Sequence, residues 1–124
     1  MPLHDVFPFA WMIANPAMSH AVTAVLETTG VALFGIAIRA PRPAATAAVI
    51  VSTYYYGRES GQREHDLKRA GIEPVTAHLE SAFMVGWSRG NVEQWVAPTV
   101  AAWLVALTIM LMMRRRDPRR SPGS

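Results

Sequence analysis

Charged and polar positions divide the chain into three apolar stretches of unequal strength. The longest is Trp95–Met113, WVAPTVAAWLVALTIMLMM, 19 residues without a formal charge. As a helix rising 1.5 Å per residue it covers close to the roughly 30 Å hydrocarbon core of a bilayer. The pattern predicts a membrane-spanning helix over residues 92–113. Asn91 and Gln94 have capping-box spacing at its start, Glu93 sits where the helix dipole favours an acid, and Arg114, Arg115 and Arg116 stop the apolar run. Pro98 either kinks this helix or belongs to its first turn.

The second stretch, Ala21–Ile38, lies between His20 and Arg39 and contains one charge, Glu27. A central acid costs on the order of 2.5–3.5 kcal/mol on the insertion scale, against about −0.3 to −0.6 kcal/mol for each Leu, Ile, Val or Phe. This helix therefore needs a partner in the membrane. The third stretch, Pro43–Gly57, has only 15 residues and ends in Tyr54, Tyr55 and Tyr56. Aromatic residues of this kind gather at membrane–water boundaries, and Arg58 stands where it could snorkel outward. The segment reads as a short span, with a re-entrant or buried core helix as the alternative.

Outside these stretches, RESGQREHDLKR (58–69) places Glu59 with Arg63 and Glu64 with Lys68 at the i,i+4 spacing of helix-surface ion pairs. The second helix is expected to continue through them until Gly71 stops it. After Pro74, the residues Val75, Leu79, Ala82, Phe83 and Trp87 fall on one helical face, as in a helix lying on the membrane surface. Phe7, Phe9, Trp11, Met12 and Ile13 suggest a similar N-terminal arm, which lacks the basic start and apolar run of a signal peptide. The expected fold is an all-α integral membrane protein with three transmembrane helices, the second one short, plus interfacial amphipathic helices. Its segments are an interfacial arm (1–19), helix 1 (20–39), helix 2 with a charged extension (43–70), a connector with an amphipathic helix (71–91), helix 3 (92–113) and a basic cytoplasmic tail (114–124).

Composition agrees with this division. The chain is 51% hydrophobic and 17% charged, whereas soluble domains carry roughly a quarter charged residues and small ones need polar surface most. Disorder is excluded on composition, and a disulfide scaffold by the absence of cysteine. The net charge of +3 is unevenly placed. With three spans, Arg39 and Arg42 share a side with Arg114, Arg115 and Arg116, while the connector sets five basic against six acidic residues. The positive-inside rule then puts the N-terminus out and the C-terminus in. Attraction to anionic lipid accounts for the basic excess, and no nucleic-acid partner is expected.

Candidate chemistry is sparse. His4, His20, His65 and His78 have no metal-ligand spacing, and no phosphate loop or nucleophile elbow is present. No enzyme activity, metal or cofactor is expected, and the connector glutamates read as surface ion pairs. Helix-packing signals are stronger: Ala24, Thr28 and Ala32, extended by Gly35, form a small-residue ladder, and Ala44, Ala48 and Ser52 form another. Such faces bring membrane helices together, within one chain or between copies. Met110, Met112 and Met113 read as lipid-facing filler. Glu27, the one intramembrane acid, falls level with Tyr54 and Tyr55 across the turn. It is either a polar contact with a structural role or a group that meets water when an assembly opens.

The segment Gly57-Arg58-Glu59-Ser60-Gly61-Gln62-Arg63-Glu64 has the pattern G-R-E-x-x-Q-x-E after a small apolar helix. It is followed by Gly86-Trp87, and by Asn91 through Trp95 and Pro98 at the opening of the last apolar span. In this the chain resembles small membrane proteins of tailed bacteriophages and prophages that are often labelled holins. The resemblance covers about Ala44 to Met113, with His65 where such proteins usually have an aromatic residue. It implies a homo-oligomer in the bacterial inner membrane that permeabilises the bilayer during host lysis. The alternatives are a non-lytic phage membrane protein, acting as an accessory subunit or on a host membrane partner, and a soluble helical protein whose apolar runs form a core.

Overall fold

The computed structural model describes residues 14–116, so most of the expected N-terminal arm and the end of the tail lie outside the described residues. Within them the chain is all-helical: α1 (Pro16–Ala37), α2 (Pro43–Arg69), α3 (Pro74–Ala82) and α4 (Arg89–Arg115). Proline opens α1, α2 and α3 in the first turn, where its missing N–H costs nothing. α1 therefore begins four residues before the expected boundary.

Three helices end in the same way. At Arg39, Gly71 and Met84 the backbone turns left-handed (φ 56°, 88° and 61°). The next N–H reaches back to close the last turn, from Ala40 to Gly35 O at 2.8 Å, Ile72 to Leu67 O at 3.0 Å and Val85 to Glu80 O at 2.8 Å. This is the Schellman arrangement. Glycine adopts it freely, whereas a residue with a Cβ costs roughly 1–2 kcal/mol there.

α4 starts earlier than expected. Ser88, not Asn91, is its N-cap: Asn91 N donates to Ser88 Oγ and Ser88 N donates to Asn91 Oδ1, both at 3.1 Å. Pro98 lies well inside the helix and is buried, so it leaves the Gln94 carbonyl without its usual helical donor.

α1, α2 and α4 pack around one another, and α3 packs against α2. The shared core consists largely of small side chains: Ala24, Ala44, Ala48, Ala102 and Ala106, with Val51 and Tyr55. The large apolar side chains point outward, with Leu26 65%, Phe34 66% and Leu104 60% exposed. A water-soluble bundle has the reverse distribution of apolar side chains, with leucine and phenylalanine inside. Close approach at small residues with large residues outside is how helices pack in lipid.

Two helices, α1 and α4, are long and apolar enough to cross a membrane, and only 17% of the apolar window in each is buried within the chain. The core helix of a soluble protein would be mostly buried. The expected third span does not reach this standard, because α2 is a single helix whose second half carries Arg58, Glu59, Arg63, Glu64, Asp66, Lys68 and Arg69.

α3 also departs from expectation. It runs back along the charged half of α2, tied by the Tyr56 hydroxyl donating to Ala82 O and by His78 Nδ1 at 3.0 Å from Glu64 Oε2. It is one arm of a helical hairpin, not an isolated surface helix. Its buried residues are Ala77 and Ser81, while Val75, Leu79 and Phe83 face outward, Phe83 at 77% exposure. Trp87 does not join that face. Its indole N–H donates to Ser81 O at 3.0 Å, and its ring packs against Tyr56 and Trp95 with centroids 5.4 and 6.4 Å away.

Candidate functional site: a buried polar cluster

Where α1 begins, α2 leaves the bundle and α4 begins, six polar side chains from three helices converge. Glu59 is fully buried at 0% exposure. Arg58 Nη1 donates to Glu59 Oε1 at 3.0 Å, and Asn91 Nδ2 donates to Glu59 Oε2 at 3.2 Å. The same Arg58 nitrogen lies 2.7 Å from His20 Nε2, which therefore accepts; Gln94 Oε1 is 3.3 Å from that imidazole nitrogen. The His20 ring tilts over Tyr55 at 5.4 Å. A buried carboxylate costs several kcal/mol unless it is paired and hydrogen-bonded. This one is both, and its partners come from its own helix and from α4.

The expected surface pair of Glu59 with Arg63 does not form. Glu59 turns inward, and Arg63 lies over Gly86, where a Cβ would come within 2.9 Å of Nη2. Gly86 is also left-handed (φ 67°), a conformation that favours glycine, whereas the guanidinium above it stands at the end of a flexible side chain. The Glu64 to Lys68 pair does form, and the same carboxylate holds His78 of α3. Lys68 first, then His78, hold the Glu64 carboxyl below the usual carboxylate range. Glu73 is held low by the Thr76 and Val75 backbone N–H groups that it caps.

The G-R-E-x-x-Q-x-E residues thus divide among tasks. Arg58 and Glu59 clamp α2 to α1 and α4, and Glu64 anchors α3. Gly57 and Gln62 line an open cleft of about 550 Å³ with Arg58, Gly61, His65 and Asn91.

Glu27 is half-buried and shares a crevice with Val31, Ile50, Val51 and Tyr54. Its carboxyl also interacts with the Tyr55 hydroxyl. A polar track therefore runs from Glu27 through Tyr55 and His20 to Arg58 and Glu59.

Ala24, Thr28, Ala32 and Gly35 are the buried positions of α1, and Ala44 and Ala48 are buried in α2. Ser52 is half-buried, with an Oγ that has no partner. At Gly35 the approach is closest, since a Cβ there would lie 2.9 Å from the Pro43 Cβ. Sequence reasoning missed the matching face of α4, Pro98, Ala102 and Ala106, although it has the same i,i+4 spacing. Arg39, Arg42, Arg114, Arg115 and Arg116 lie at the opposite end of the bundle from Glu59, and all are exposed.

No family model, curated protein or solved structure matches the chain.

Proposed function

We propose that this chain is an integral protein of the bacterial inner membrane that oligomerises and permeabilises the bilayer during host lysis, in the manner of a holin. The observation that carries the membrane part is the inverted packing, with alanine and glycine between the helices and leucine and phenylalanine outside. In this reading Pro43–Gly57 is a short third span. Held against α1 and α4, it needs less apolar surface than an isolated helix. Arg39 and Arg42 then share the cytoplasmic side with Arg114, Arg115 and Arg116, leaving the N-terminus out. The lytic part rests on the resemblance through Gly57, Arg58, Glu59, Gln62 and Glu64, and on the polar track, whose Tyr55 and Glu59 are buried in the single chain while Glu27, His20 and Arg58 are half-buried, and which becomes the wet face of an opened assembly. The small-residue faces are occupied within the chain. Contacts between copies therefore use the outer faces of α1 and α4 or require the bundle to open.

A second reading is a non-lytic membrane protein acting on a host membrane partner. The hairpin of α3 with the charged half of α2 favours it, because this arm carries Val75, Leu79 and Phe83 uncovered. Inducible expression in a bacterium separates the two. Abrupt dye entry with falling culture density is the expected result. Continued growth with intact membranes, while the protein resists carbonate extraction, replaces lysis by the second reading. Release of the protein by carbonate overturns both.

A further inference from the structure

We infer that the arginine end of the bundle holds a binding site for an anionic phospholipid. This rests on the membrane reading above and specifies it. Between the start of α2 and the end of α4 lies a cleft of about 460 Å³ lined by Arg42, Arg114, Ala44, Ala45, Met110 and Met113. The volume falls within the roughly 300–1,000 Å³ of small-molecule sites. Its lining has two parts of opposite character. Two guanidinium groups, permanently charged and forked, match a phosphate. Alanine and methionine make an apolar wall beside them, and methionine adapts to irregular chains. Free phosphate would use only the arginines, whereas a phospholipid uses both parts. Basic pockets between helices on the cytoplasmic side are the usual place for an anionic headgroup.

The charge balance of the chain supports an external anion. None of Arg39, Arg42, Arg114, Arg115 or Arg116 makes a side-chain hydrogen bond or ion pair with a described residue. At the other end of the same bundle, Arg58 is engaged by Glu59 and His20. Arg42 is also left-handed (φ 47°), a conformation that glycine would supply at less cost. An arginine there brings a guanidinium to the cleft.

The test uses the full chain purified in neutral detergent and titrated with phosphatidylglycerol, phosphatidylcholine or glycerol phosphate, with binding read as a thermal shift. Two arginines at about 1 kcal/mol each predict a preference for phosphatidylglycerol over phosphatidylcholine of about thirty-fold. Arg42→Gln with Arg114→Gln removes that preference. Arg115→Gln with Arg116→Gln, an equal charge change outside the cleft, keeps it. Ala45→Leu narrows the apolar wall and weakens the lipid while leaving glycerol phosphate unaffected, which keeps the inference testable if the arginine variant does not fold. Equal binding of both lipids overturns the site, and equal losses in the two arginine pairs reduce it to a diffuse field. Glycerol phosphate binding as tightly as the lipid makes it a phosphate site. Carbonate release of the wild-type chain overturns the membrane reading itself, whereas a membrane-retained protein indifferent to lipid charge overturns only the site.

Discussion

The two ends of the bundle both carry charge and handle it in opposite ways. Around Glu59 the charge is internal: a carboxylate at 0% exposure is held by Arg58 and Asn91, with His20 and Gln94 beside it. Around Arg42 and Arg114 the charge faces outward and finds no acid among the described residues. The difference assigns roles by physics. Paired buried charge specifies which helices sit together, because a wrong partner leaves an ion stranded. Unpaired surface charge contributes little to the fold and is available to the surroundings.

Substitutions can break this contrast, and the largest effect belongs to the buried end. Glu59→Ala removes the buried acceptor shared by Arg58, itself one-third exposed, and Asn91 and is expected to cost about 1.5–3 kcal/mol, measured as thermal or denaturant unfolding in detergent. Glu59→Gln, which keeps a hydrogen-bonding oxygen, should lose less. Next is the packing between the helices. Ala102→Leu overfills a site at 0% exposure and should cost roughly 1–3 kcal/mol, while Leu104→Ala on the outer face should change stability in detergent very little. A smaller effect of opposite sign is expected at the helix ends: Met84→Gly relieves a left-handed residue with a side chain and should raise the unfolding midpoint by up to about 1 kcal/mol equivalent. Arg115→Gln, at the exposed end, should stay within about 0.5 kcal/mol.

The smallest effect is that of pH on the α2–α3 hairpin. Lys68 and His78 lower the Glu64 pKa from its usual 4.5 in the folded chain. The carboxylate therefore supports the hairpin above that value, and the support is lost as pH falls through the lower folded value. Tryptophan fluorescence, to which Trp87 contributes beside three other tryptophans, compared between the wild-type chain and Trp87→Phe from pH 6 to pH 3 should report α3 loosening at the acid end. Glu64→Gln should remove that acid step, and an unchanged profile in the variant would show that Glu64 is not its origin.

Much of the helix arrangement was legible because local spacing carries it. The ladder Ala24, Thr28, Ala32 and Gly35 can be read by counting, and those are the positions α1 buries. The matching face in α4 was overshadowed by its own length, since a 19-residue uncharged run already explains itself as a span. Glu59 was misread for a related reason. Arg63 stands four residues away and offers a local partner, whereas Asn91 is 32 residues away and only the fold brings it near. The orientation of α3 was hidden because an amphipathic pattern tells which face is apolar and leaves open what lies beneath the polar one. Ser88 escaped notice as a cap because its return partner is asparagine, where glutamate or glutamine is the common choice.

The turn between α1 and α2 also bears on how the chain reaches a membrane. Only residues 38–42 separate the two helices, and Gly35 rests on Pro43 with no room for a methyl group. If both helices enter lipid, as proposed above, so short a link leaves neither free to do so alone, and α1 with α2 would be released from the insertion machinery as a pair. Glu27 would then arrive already facing Tyr54 and Tyr55. The cost of carrying an acid into hydrocarbon would be met during biogenesis, before α4 has been synthesised.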